Sequence, residues 1–333
     1  MRMKKIMMTI IVFALAVTVF AAGVREDDPR VELTAGSINA VGTAGARTVD
    51  YIAEYLSERS GGNIVLKHFP AGQLGQPPDM IDQCSIGALD VVWVDISNYG
   101  PIDKDYNIFG MGYVFRDQDH LARFLESPDY ERMAEQLRVQ KGVLTISSGA
   151  QRPARHVFSK KPIRSAEDFA GMNFRVPGLE MYLRTFEGIG ANPMRIDYGE
   201  SYMALSQGLV DGIENPLDAG YGMKFHQVAP YFVPTGHIRT VNTFVMNEDR
   251  FNSLPADYQE LIREAARAGD EFYMQLVEQE KEELLRAMEQ EGATILPAID
   301  VVPLQRRLAS VARDLEAQGA WTEGLWERIQ AVE

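Results

Sequence analysis

The first feature of the hydrophobic pattern is an apolar run from Ile6 to Phe20, introduced by Arg2, Lys4 and Lys5 and followed by Ala21, Ala22 and Gly23. It is shorter than the roughly 20 apolar residues of a membrane-spanning helix, and Val19-Phe20-Ala21 suits the positions a signal peptidase reads. Residues 1–22 therefore read as a secretory signal peptide, and without a Cys near the cleavage site no lipid anchor is expected. Beyond it the pattern breaks into short elements. A strand is predicted at Val31–Ala35, a helix from Ala44 to about Ser60 and a second strand at Ile64–His68, set off by Ser60-Gly61-Gly62-Asn63. That is a βαβ unit. The turn-rich loop Phe69-Pro70-Ala71-Gly72-Gln73-Leu74-Gly75 leads to a helix near Pro78–Ile86 and to Val91–Val94, whose continuous apolar run predicts a buried parallel strand.

The middle of the chain repeats this grammar, with strands at Val143–Ser147 and Asn173–Val176, a capped turn at Ser165–Phe169, and a helix over about Leu179–Gly188. A long helical pattern from Asp257 to Gln290 opens after Pro255 and closes before Gly292, with no strict heptad seam. It exceeds what one small domain needs, so it is expected to span two. No repeat, linker or second membrane-length apolar stretch divides the chain, so any domains must interlock.

Composition narrows the function. The chain has 333 residues, 46% hydrophobic and 24% charged, enough for two globular domains, and carries a formal charge of −14. Removal of the signal would leave about 30 basic against 47 acidic side chains, a charge of about −17, which makes nucleic acid a poor partner. Cys84 is the only cysteine, so no internal disulfide can form, and it reads as a small buried hydrophobe. No phosphate loop, dinucleotide fingerprint, nucleophile elbow or His-Glu-x-x-His motif is present. The five histidines, His68, His120, His156, His226 and His237, have no metal-ligand spacing, so neither a metal nor a cofactor is expected.

Cations and amides between Gln151 and Pro216 stand out instead. Arg152, Arg155, Arg164 and Arg175 punctuate loop-and-strand sequence, and Asn215 lies in Asp211-Gly212-Ile213-Glu214-Asn215-Pro216. A guanidinium can hold a carboxylate bidentately, fixing its orientation as well as its charge. Spacing alone leaves two readings open for each Arg: a ligand contact, or a partner for a nearby Asp or Glu.

Five segments in order carry a more specific signal: Phe69-Pro70-Ala71-Gly72-Gln73-Leu74-Gly75, Gly87-Ala88-Leu89-Asp90, Gly171-Met172-Asn173-Phe174-Arg175-Val176-Pro177, Glu200-Ser201-Tyr202-Met203-Ala204-Leu205, and Val210-Asp211-Gly212-Ile213-Glu214-Asn215-Pro216. Over essentially the whole mature chain they resemble the solute-binding subunit of TRAP (tripartite ATP-independent periplasmic) transporters. The resemblance implies an α/β fold of two interlocked domains of periplasmic-binding-protein type, joined by crossing strands and a long hinge-spanning helix. It places residues 23–152 and about 241–280 in the first domain, and 153–240 and about 281–333 in the second.

It also implies a site. Arg175, in the family's Arg-Val-Pro motif, matches the residue that binds the ligand carboxylate, and Arg155, which opens Arg-His-Val-Phe-Ser, matches a second contacting Arg. Asn215 in Glu-Asn-Pro resembles the amide that touches the same carboxylate, and Tyr198 falls where the family sets an aromatic ring against the ligand. Asp95 stands where a sialic-acid-binding relative carries Glu; one methylene shorter, it argues against sialic acid itself. Ser37 or Asn39 is expected to face the cleft, with Asn39 the candidate carried forward. Trp93 and Tyr99, like Met194, Phe225 and Met246, read equally as pocket wall or core.

The expected function is capture of a small organic acid, a sugar acid such as a hexuronate or a C4-dicarboxylate, for delivery to the small and large membrane subunits. The resemblance further implies a monomer in the periplasm. The alternatives are an exported hydrolase or lyase acting on such an acid, and a periplasmic sensor with the same fold.

Overall fold

A computed structural model describes residues 29–333; the expected signal peptide lies outside them. The first segment runs β1 (Val31–Ser37), α1 (Ala44–Arg59), β2 (Ile64–Phe69), α2 (Pro77–Ser85), β3 (Val91–Asp95), α3 (Gln118–Leu125), α4 (Pro128–Lys141) and β4 (Val143–Gln151). The middle segment runs β5 (Arg155–Ser159), β6 (Asn173–Val176), α5 (Glu180–Gly188), β7 (Asn192–Arg195), α6 (Ser201–Ser206), β8 (Gly212–Asn215), α7 (Leu217–Gly222), α8 (Phe225–Val228) and β9 (Tyr231–Ile238). The last runs β10 (Val241–Asn247), α9 (Glu248–Asn252), α10 (Ala256–Gln290), β11 (Thr294–Ile295), α11 (Val302–Ala317) and α12 (Leu325–Gln330).

These elements build two α/β lobes. The first is built on a sheet of order β2-β1-β3-β10-β4, the second on one of order β11-β9-β5-β8-β6-β7. The βαβ unit forms as its sequence predicts, with β1 and β2 parallel. β3 is parallel to β1 on one side but antiparallel to β10 on the other, so its continuous apolar run reflects burial on both faces more than a purely parallel neighbourhood.

The chain changes lobe twice in adjacent strands. Pro153 cannot donate to a ladder and holds Arg152 extended, so β4 ends there and the chain re-emerges as β5 in the other sheet. The return runs from β9 to β10 through Arg239 and Thr240. The two crossings are paired: Gln151 faces Val241, Arg155 faces Ile238, and the Arg152 N–H donates to the Thr240 carbonyl at 3.0 Å.

The third connection is α10, 35 residues long. Its first half buries Tyr258, Ile262, Ala265, Ala266 and Tyr273 in the core between α1 and the first sheet. There Gly269 permits close approach, because a Cβ at that position would stand 2.5 Å from the Ile52 side chain. Its last turns bring Leu284, Leu285 and Met288 to the second-lobe core around Phe158, Phe225 and Phe232. No residue from 278 to 283 is buried. A third core runs through both lobes, from Met80, Tyr106 and Phe124 to Phe174, Phe186 and Leu308. The chain end closes over it: Thr322 N–H donates to Asp105, Asn107 to the Ala320 carbonyl, and Arg328 pairs with Asp129 at 2.8 Å. Cys84 is fully buried, and desolvation pushes its thiol up to about 12.

One buried carboxylate on α10 faces β4. Asp270 accepts hydrogen bonds from the Gly149 N–H at 3.0 Å and the Ser147 hydroxyl at 3.2 Å, yet burial outweighs them and pushes its pKa up to about 7. A carboxyl raised on folding stabilises the protein at low pH, and that contribution is lost as pH rises through the folded value. The melting temperature should therefore carry a component that falls between about pH 4 and 7. Asp270→Asn, which keeps an acceptor, should flatten it; an unchanged slope would remove Asp270 as its source.

Candidate functional site

Between the lobes lies a cleft of about 230 Å³. Arg175, Arg155, Asn215, Tyr198, Asp95 and Asn39 all line it, although they come from segments 176 residues apart. Other residues considered on the sequence lie elsewhere. Ser37 is buried and bonds to His68 at 2.8 Å, Trp93 packs edge-on against Tyr273, and the Tyr99 hydroxyl meets Thr243 at 2.6 Å inside the core. Phe225 and Met246 are core residues, Met194 packs on the second-lobe core, and Arg164 is exposed.

The second lobe supplies the cationic wall. In the antiparallel β5–β8 pair Val157 stands opposite Glu214, so Arg155, two residues upstream, reaches Glu214 diagonally. Its Nε and Nη2 form a bidentate pair with that carboxylate, Nη2 to Oε1 at 2.7 Å, and Nη2 also approaches Asn215 Oδ1 at 3.4 Å. Burial works against both charges, but the pair raises the Arg155 pKa and lowers that of Glu214. The guanidinium lies 5.2 Å over the Tyr182 ring.

Arg175 has no such partner. It projects from β6 just before Pro177 ends the strand, is 3% exposed, and donates from Nε to the Ile196 carbonyl at 2.8 Å. Its guanidinium lies 5.6 Å over the Tyr198 ring and forms no ion pair among the described residues. Desolvation without a neutralising partner pulls its pKa down to about 10. Tyr198 and Asn215 are themselves fixed, the Asn215 amide donating to the Tyr198 hydroxyl at 3.2 Å.

The first lobe supplies a polar wall with no free charge. Asp95, at the end of β3, accepts from the Ser97 N–H at 2.9 Å, the Ser97 hydroxyl, Arg152, and the Thr240 hydroxyl at 2.6 Å. It thus ties β3 to both crossings between the lobes. Burial raises its pKa, but Arg152 and Arg155 outweigh that and hold it low. Asn39 has room because a Cβ on Gly45, in the first turn of α1, would stand 2.5 Å from its amide. Gln76, Asn98 and Asn242, which no sequence motif marks, add further amides. Of the two readings open for Arg152, the structure gives it the ion pair, with Asp95; Glu214, the partner of Arg155, lies inside a segment the sequence marks.

With this geometry established, the relationships of the chain become decisive. The family model described as bacterial extracellular solute-binding protein, family 7 (DctP) matches residues 36–318. The chain belongs to that family: it is a solute-binding protein of the TRAP transport type, not an enzyme. It is 27% identical over 314 residues to the sialic acid-binding periplasmic protein SiaP of Vibrio cholerae, an alignment covering 94% of this chain and 95% of that protein. A TRAP periplasmic solute-binding protein from Pseudomonas putida F1 with bound D-glucuronate superposes with a TM-score of 0.82 at 27% identity, over 91% of this chain and 98% of that one. Another, from Ochrobacterium anthropi with bound L-fuconate, gives a TM-score of 0.82 at 30% identity, over 91% and 99%.

The Arg155–Glu214 pair is buried on both sides, so removing one member strands the other. Glu214→Ala should lower unfolding stability by about 3–5 kcal/mol in a denaturant titration. A loss below about 1 kcal/mol would mean that Arg155 is held by its other contacts.

Proposed function

We propose that this protein captures a sugar acid bearing a single negative charge outside the cytoplasm, and presents it as a monomer to the membrane subunits of a TRAP transporter. The observation that carries this reading is the Arg175 guanidinium, buried and oriented but without a counter-ion. A ligand carboxylate supplies that counter-ion to a buried guanidinium, where a charge-assisted bidentate bond is strong. Arg155, held in place by Glu214, and the Asn215 amide adjoin the same oxygens, while Tyr198 backs the guanidinium.

Charge favours a sugar acid over a C4-dicarboxylate. Arg152 is neutralised by Asp95 and Arg155 by Glu214, so a second ligand carboxylate would find no unpaired cation in the cleft. Asp197, exposed on the cleft wall, adds a repelling charge. The volume of about 230 Å³ falls below the ~300–1,000 Å³ of sites for drug-sized ligands, which suits a six-carbon acid. The bound D-glucuronate and L-fuconate of the two similar structures agree with this class.

Isothermal titration against hexuronates, aldonates and C4-dicarboxylates tests the proposal. A sugar acid should bind and the dicarboxylates should not. Arg175→Ala should weaken binding by about 3–5 kcal/mol, the cost of stranding a buried carboxylate. Retained affinity in that variant would overturn the role assigned to Arg175, and preference for a dicarboxylate would overturn the substrate class.

A further inference from the structure

A second group of cations lies outside the cleft. Arg116, just before α3, and Arg239, in the return crossing from β9 to β10, line a separate cavity of about 310 Å³, together with Tyr113, Gly236, Gln305 and Trp326. No Asp or Glu lines it, although the chain carries a formal charge of −14. Neither guanidinium forms an ion pair among the described residues. Arg116 donates from Nη1 and Nη2 to the Gln330 and Val332 carbonyls, at 3.0 and 2.5 Å, and so caps the end of α12. Backbone dipoles hold its charge without neutralising it.

Arg239 is anchored by one nitrogen only. Its Nη1 donates to the Gly236 carbonyl at 2.9 Å and to the Phe115 carbonyl at 3.4 Å. Nε and Nη2, an edge of the guanidinium that can grip an oxyanion bidentately, have no partner among the described residues. Gly236 adopts φ +55°, and a Cβ there would stand 3.5 Å from Nη2, so the lack of a side chain leaves that side of the fork uncovered. Burial pulls the Arg239 pKa down, and nearby Asp117 opposes it only in part. Asp117 is engaged elsewhere, accepting from the His120 N–H at 2.7 Å as the cap of α3.

Tyr113 gives the cavity a strained wall. It takes φ +58°, in the left-handed region that bulky side chains rarely adopt. Its N–H on the His237 carbonyl at 2.7 Å and its hydroxyl on the Thr235 carbonyl at 3.2 Å hold it there. Strain of this kind persists where contacts over-determine it, and it clusters at ligand sites. The Trp326 indole N–H and the Gln305 amide, unpartnered among the described residues, add neutral donors.

We propose that this cavity binds a small oxyanion, a phosphate or carboxylate group, gripped by the Nε–Nη2 edge of Arg239 with Arg116 completing the positive field. The site is separate from the cleft, because neither Arg lines the cleft and Arg175 does not line this cavity. Its place in the fold connects it to the crossings between the lobes. Arg239 precedes Thr240, whose hydroxyl donates to Asp95 and whose carbonyl accepts the Arg152 N–H. An anion on Arg239 braces the return crossing one residue from those bonds.

The test uses Arg175→Ala, in which the cleft has lost its carboxylate contact. That variant is titrated in the low millimolar range with inorganic phosphate and, separately, with a hexuronate, each against chloride at matched ionic strength. Phosphate strengthens many folds by exclusion from the surface, so the comparison that decides is between variants. A saturable rise in melting temperature is expected, lost when Arg239→Gln is added and reduced when Arg239→Lys, which keeps the charge without the fork, is added instead. Calorimetry should show the anion weakened at least about tenfold by Arg239→Gln. A response to phosphate alone identifies an inorganic occupant, and one to the hexuronate identifies an organic acid. Equal shifts with chloride, or an equal response with and without Arg239, overturn the proposal. Apo melting temperatures show whether Arg239→Gln folds; if it does not, Arg239→Lys and Arg116→Gln carry the comparison. Hexuronate binding to the cleft of the wild type judges the sugar-acid reading separately.

Discussion

Three guanidinium groups are enclosed around one cleft, and the protein gives ion-pair partners to two of them. Arg152 has Asp95 and Arg155 has Glu214, the second pair formed across the β5–β8 register and the first where the chain leaves β4. A buried charge that loses its partner is far more costly than a pair that is kept, so these two contacts constrain β3, β5, β8 and both crossings between the lobes. Arg175 is the remaining cation, held by a backbone carbonyl and an aromatic face, neither of which cancels its charge. The cleft wall therefore carries one cation that the described residues leave without an ion-pair partner, between two that they neutralise.

The same arrangement explains why some parts of the site could be read from the chain and others could not. Arg175, Asn215 and Tyr198 sit in or beside short motifs that resemble a known family, and those motifs brought them to notice individually. Asp95 was likewise placed by position, but its occupation by four donors depends on Arg152 and Thr240, which reach it only because the chain crosses between lobes twice at that point. Asn242 carries no motif at all. Asn242 and Thr243 are the two polar residues in the otherwise apolar segment Val241–Met246, a signal that has meaning only once β10 is known to be an interior strand between β3 and β4.

Local elements followed the same division. The βαβ unit and the 35-residue helix were legible because apolar spacing and Pro/Gly boundaries act over a few residues. The order of strands was not, because β10 enters the first sheet from a distant part of the chain, between β3 and β4. The shared core limits the motion that such an assembly can use. Apolar side chains from both lobes pack continuously from Tyr106 to Phe186, so the lobes share a common base, and any motion between them would be a rotation about it.

The long helix would transmit such a rotation mechanically. α10 is fixed to the first lobe by its N-terminal half and to the second by its last turns, with the stretch from 278 to 283 clear of both cores. At 1.5 Å per residue it is about 50 Å long, so a bend of about 5° near one anchor displaces the other end by roughly 4 Å. Anchored in both lobes, it would act as a lever, turning a small rotation at one anchor into a larger displacement at the other.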